Sequence, residues 1–162
     1  MTRTWKTVTA MKELLTVLAT WLSINFGLPA IENHPQIEMV QPVRMAALRY
    51  RGLAPDRAPQ TATSNDDPLG TPTNIVALYD DTRKTIYLPH GWRGSPAELS
   101  VLVHELVHHL QNEAGVKFAC PAEREKLAYQ AQMKWLALFG TTLEAEFDVD
   151  PFTLLVRTNC LG

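Results

Sequence analysis

Residues 95–115 read "SPAELSVLVHELVHHLQNEAG", and the reading of this stretch governs the rest of the chain. Ser95, Pro96 and Glu98 supply an N-cap, a proline at the first helical position and the acid of a capping box. Gly115 suits the C-terminal end of the same helix. Between these signals Leu99, Leu102, Val103, Leu106 and Leu110 form one apolar face. His104 and His108 lie on the other side, with Val101, so the helix has two things to contact. The two histidines are four residues apart and project one turn apart in the same direction. That spacing lets both imidazoles reach one metal ion at about 2.0–2.1 Å. Glu105 points about 100° around the helix. It can therefore stand beside a metal without binding it and act on water there. This is the H-E-x-x-H arrangement. With five histidines and ten glutamates in the chain, a shuffled sequence contains it roughly 0.01 times. His109 falls off the ligand face and is expected to be structural or exposed.

A catalytic zinc site usually takes three protein ligands, and two carboxylates compete for the third place. A second helix is expected from Pro121 through "AEREKLAYQAQMKWLALF" to Gly140. Glu123 and Glu125 lie near its start, two residues apart, and so face different ways. Ala128, Tyr129, Gln132, Leu136 and Phe139 fall within about 60° of Glu125, which puts it on the inward stripe. Glu123 shares its side with Lys126, Gln130 and Lys134, a solvated face. A carboxylate on a buried stripe is unfavourable unless something cationic compensates it. A zinc ion would do so; an arginine such as Arg44, Arg49 or Arg157 is the other choice.

"HELVH" on one helix and "ExxAY" (Glu125 to Tyr129) on the next resemble the gluzincin metallopeptidases. Small bacterial families of unknown function are similar to that group in reduced form. The resemblance spans roughly residues 74–140. It implies an α+β, zincin-like fold, with a small sheet or hairpin packed on the H-E-x-x-H helix and further helices around it. It implies Zn2+ held by His104, His108 and Glu125. The edge of the sheet would line the cleft, where a peptide could add as an extra strand. Many gluzincins carry an aspartate four residues after the third ligand; here that position is Tyr129.

The remaining chain is read more coarsely. At 162 residues, 46% hydrophobic and 20% charged, one domain covering 1–162 is expected. The net charge of −2 gives no electrostatic case for nucleic acid or an anionic membrane. No run approaches the roughly 18 apolar residues of a membrane span. Residues 1–30 begin basic and turn apolar, as a signal peptide does. Yet Glu13, Thr16, Thr20, Ser23 and Asn25 interrupt the run. Met11, Leu14, Leu15, Leu18, Trp21 and Leu22 recur as the stripe of an amphipathic helix. Cytoplasmic residence is therefore expected. Export is the reading if residues 1–30 act as a signal or if Cys120 and Cys160 pair; pairing and free thiols both remain open.

A short strand around Ile37–Val40 and a short helix in "VRMAALRYR" ending at Gly52 precede the polar, proline-rich stretch 53–73, read as an exposed loop. "NIVALYD" and "TIYLP" flank a short polar spacer and predict a β-hairpin over 74–89. Residues 141–162 carry no clear assignment; Asp148 and Asp150 read as acidic surface.

The function expected is peptide-bond hydrolysis, with Glu105 as general base toward water at the zinc. The reaction also needs a donor for the oxyanion. Tyr129, His34, His90 and Tyr87 are the candidates, Tyr129 also as a hydrogen-bonding partner of a ligand. The alternative is a zinc-containing regulatory protein of minimal-gluzincin type, with one dedicated partner and little general protease activity. A structural metal site is a third reading.

Overall fold

The structure, a computed structural model, describes residues 3–51 and 77–161. The exposed loop expected at 53–73 and the first residues of the expected hairpin, 74–76, lie outside the described residues. Among the described residues the order is α1 (Arg3–Phe26), β1 (Gln36–Val40), α2 (Pro42–Arg51), β2 (Leu78–Asp80), β3 (Thr85–Pro89), α3 (Pro96–Glu113), α4 (Pro121–Ala137), α5 (Leu143–Phe147) and α6 (Pro151–Thr158). The fold is α+β, as the sequence implies.

The three strands form one sheet in the order β1-β3-β2. β1 runs parallel to β3 and β2 antiparallel to it. The hairpin turn is set by Asp80, whose carboxylate accepts the amides of Thr82 and Arg83 at 2.9 and 3.0 Å. Such a side chain mimics a backbone turn. Alternation along β3 then divides the core. Ile86 and Leu88 pack with α1 and α3 in the main cluster. Tyr87 faces the other way, into a small cluster with Val40 and Met45 of α2.

α3 is the centre of the molecule. Its capping box is formed: the Glu98 amide donates to Ser95 Oγ at 3.2 Å, and the Glu98 carboxylate accepts the Ser95 amide. At its far end Val116 and Gly115 donate back to Gln111 and Asn112, and Gly115 takes φ +66°. This is the Schellman closure that favours glycine. Leu102, Val103, Leu106 and Leu110 are buried as expected. So are Ser100, Val101, Val107 and all three histidines, and Leu99 is half-buried. The helix is thus enclosed on more sides than a two-faced stripe predicts, because α1, the sheet and α4 all reach it. Leu15, Leu18, Ala19 and Leu22 of α1 are buried in the same core. No helix among the described residues is long and apolar enough to cross a membrane.

The C-terminal segment, unassigned from sequence, wraps onto α4. Leu143 and Val149 join Leu136 in a third cluster, with Tyr129 and Leu154 against it. Asp150 caps α6 through the Thr153 amide, and Asp148 ends α5 in a left-handed conformation. Both aspartates therefore terminate helices. α4 stops at Ala137, short of the expected Gly140, and Phe139 is exposed. Phe139 thus does not belong to the inward stripe: the chain has left helical phase before reaching it.

Cys120, the N-cap of α4, is bonded to Cys160, which settles the pairing left open by the sequence. The bond closes a span of 40 residues. Alkylation of unreduced protein is expected to add no carbamidomethyl groups by mass spectrometry. Reduction should lower stability by about 2–4 kcal/mol in denaturant titrations.

Candidate metal centre

His104, His108 and Glu125 meet where α4 passes α3. His104 Nε2 lies 2.9 Å from Glu125 Oε2, and His108 Nε2 lies 3.1 Å from Glu125 Oε1. One ligand atom from each residue can be chosen so that all lie within 4.8 Å of one another, close enough to hold a metal ion. Ligands about 2.0–2.1 Å from a tetrahedral zinc stand about 3.3 Å apart. The two separations, each to a different Glu125 oxygen, are a few tenths of an ångström tighter. The residues fit a metal.

Helix register explains the convergence. The imidazole rings of His104 and His108 lie one turn apart and meet edge to face, with centroids 5.0 Å apart. Glu125 projects from the inward side of α4 together with Ala128 and Gln132, both buried, and Tyr129. Glu123 lies on the exposed side, where its carboxylate accepts the Ala119 amide. The arginine alternatives for Glu125 do not arise from the described side chains. Arg44 pairs with Glu38, and Arg157 donates to the Tyr129 hydroxyl. The side chain of Arg49 lies outside the described residues.

Electrostatics separate the two carboxylates of the site. Burial pushes the Glu125 carboxyl up, but the hydrogen bonds from His104 and His108 outweigh it and hold the group well below the usual carboxylate range. Glu105 behaves oppositely. Burial pushes its carboxyl up to about 7, and Glu125 adds to the rise, while His104, the Tyr79 backbone amide and Arg124 pull it down. Glu105 is half-buried, accepts the backbone amide of Tyr79 on edge strand β2, and is not one of the three converging groups.

The other candidates divide. Tyr129 packs its ring against His104, with centroids 4.7 Å apart, and its hydroxyl accepts from Arg157 at 3.0 Å. It touches the ligand set through its ring. Tyr87 is removed from the site, because alternation along β3 turns it toward α2. His34 is bonded to Thr16 of α1 at 2.7 Å. His90 is exposed at the turn after β3. These three are not brought to the centre.

His109 is structural, as expected, and fully buried. Its Nε2–H donates to the Asn33 carbonyl at 2.6 Å, and the Tyr79 hydroxyl donates to its Nδ1 at 2.9 Å. It ties α3 to the segment before β1 and to β2. Beside it Arg124 forms an ion pair with Asp81 of the hairpin turn. Sequence reading missed Arg124, Asp81 and the buried Gln111. Gln111, three residues after His108, carried a spacing signal; the Arg124–Asp81 pair carried none, since its members are 43 positions apart.

Residues 7–161 match the model of a family described as a domain of unknown function, DUF6647, and the chain belongs to that family. No curated protein matches the chain, and no solved structure does.

Two isosteric substitutions test the register. Glu125→Gln should lower zinc affinity by more than the roughly 10–100-fold typical of losing an outer partner. Glu123→Gln should leave it nearly unchanged, as surface changes usually do. Calorimetric titration of both variants checks this, and loss of metal in Glu123→Gln alone would refute the assignment.

Proposed function

We propose that this protein is a zinc-dependent peptidase of gluzincin type. The observation that carries the reading is the convergence of His104, His108 and Glu125, with Glu105 beside them yet outside the ligand group. Two imidazoles and one carboxylate are a donor set that suits zinc and leaves a coordination position free. Zinc bound there would lower the pKa of a water and polarise a carbonyl oxygen.

The chain's own residues supply the rest. Glu105 takes the proton from the attacking water and returns it to the leaving amine. The Tyr79 amide bonds its carboxylate from β2. β2 is an edge strand, so a peptide laid along it would pass Glu105 with its backbone extended. Tyr129 is the oxyanion candidate nearest the ligands, and Arg157 keeps its hydroxyl in place. The sheet, hairpin and two helices around the site support a reduced zincin arrangement. The Cys120–Cys160 bond weighs toward an oxidising compartment.

The purified protein should contain about one zinc per chain by elemental analysis, and His104→Ala or His108→Ala should remove most of it. Zinc-loaded protein incubated with a mixed peptide library should generate new termini detectable by mass spectrometry. Glu105→Gln should retain the zinc and reduce cleavage by about 100-fold or more. Undiminished cleavage in that variant would exclude Glu105 as the base. Retained zinc with no cleavage in the wild type would leave a dedicated zinc-holding regulatory domain as the reading.

A further inference from the structure

Each metal-facing histidine has a buried glutamine behind it. His104 Nδ1 lies 3.0 Å from Gln132 Oε1, and His108 Nδ1 lies 3.2 Å from Gln111 Oε1. Gln111 and Gln132 are only 3% and 5% exposed. An amide can be turned end for end, so its orientation must be argued from its other partners. Ser100 donates its hydroxyl hydrogen to the Ala97 carbonyl at 2.6 Å. Its oxygen is thereby left to accept, and Gln132 Nε2 donates to it at 3.2 Å. Gln111 Nε2 donates to the Arg124 carbonyl at 3.4 Å. Both amide nitrogens are therefore engaged away from the histidines, and both carbonyl oxygens face them. A carbonyl oxygen only accepts, so each ring carries a hydrogen on Nδ1; the Nε2 hydrogen that each donates to Glu125 in the metal-free protein is the one a metal ion would replace.

We propose that Gln111 and Gln132 are the positioning residues of the metal centre, fixing both histidines as Nε2 ligands without adding negative charge. This rests on the metal reading above and adds a statement about its charge. Carboxylates often stand behind zinc-bound histidines and raise their basicity. Two amides give the orientation and leave the charge out. A divalent ion held by the two imidazoles, with Glu125 as its one anionic ligand, would then keep a net positive charge, which would strengthen its pull on an oxygen in the free position. The network also joins the ligands to the helix pair: Gln132 ties His104 to Ser100 of α3 from α4, and Gln111 ties His108 to the backbone of the residue before Glu125.

Zinc titration of wild type, Gln111→Leu, Gln132→Leu, Gln111→Glu and Gln132→Glu tests the proposal, with thermal unfolding of each metal-free variant as the folding control. Each leucine variant should bind zinc about 10–100-fold more weakly. Each glutamate variant keeps the acceptor oxygen and should bind at least as tightly as wild type. A side chain that only fills space predicts the reverse order, because leucine suits a buried site better than a carboxylate. Wild-type affinity in both leucine variants, or weaker binding by glutamate than by leucine, would overturn the proposal. If the leucine variants do not fold, long-range proton–nitrogen spectra of zinc-loaded, isotope-labelled wild type decide. Hydrogen on Nδ1 of both rings supports it, and hydrogen on Nε2 of either ring refutes it. A wild type that folds but binds no zinc refutes the metal reading itself, a failure distinct from the others.

Discussion

A carboxylate held between two helices and facing two imidazoles is the constraint on which this structure turns. Glu125 is only one-third exposed, and its nearest polar neighbours are His104 and His108. Burial alone would drive it to the neutral form. The two histidines reverse that tendency, and a cation among them would satisfy all three. For this to happen α4 must pass α3 at one level and in one rotation. The same rotation brings Tyr129, one turn on, against the His104 ring and Gln132, two turns on, behind it.

The start of α4 is fastened on two sides, which fixes that rotation. The bond from Cys120 to Cys160 joins its N-cap to the end of the chain. Arg124 binds Asp81 in the hairpin turn. Between them the helix start has little freedom to slide, and Glu125 on it inherits that restraint. Asn112 adds a further tie from α3 to the hairpin, donating to the Tyr79 hydroxyl at 3.0 Å and to the Asp81 carbonyl at 3.1 Å.

Adjacent histidines on α3 show how differently one residue type is used. His109 meets a carbonyl on one nitrogen and a hydroxyl on the other, so the protein alone completes its hydrogen bonds. His104 and His108 have one nitrogen completed by a glutamine and the other aimed at a carboxylate oxygen. Buried polar groups that the chain satisfies build the fold. Those left facing a shared point among acceptors mark a place for a ligand.

How far the sequence alone reaches follows from the range of the interactions. The α3 boundaries, its capping box and the shared face of His104 and His108 depend on residues within a turn or two of each other, and helical periodicity makes them legible. Glu125 was separable from Glu123 for the same reason. The hairpin was legible in its turn, though alternation did not tell which face of β3 met α3, so Tyr87 stayed a candidate. The inward stripe of α4 was overextended to Phe139, because nothing local in "LALFG" fixes where helical phase ends. Only the tertiary structure decided the Cys120–Cys160 pairing, the Arg124–Asp81 clamp, the placement of Gln111 and Gln132 behind the two histidines and the docking of the tail on α4. These depend on distances between separate elements, and such distances are set by the packing of the whole core, which no periodicity within one element records.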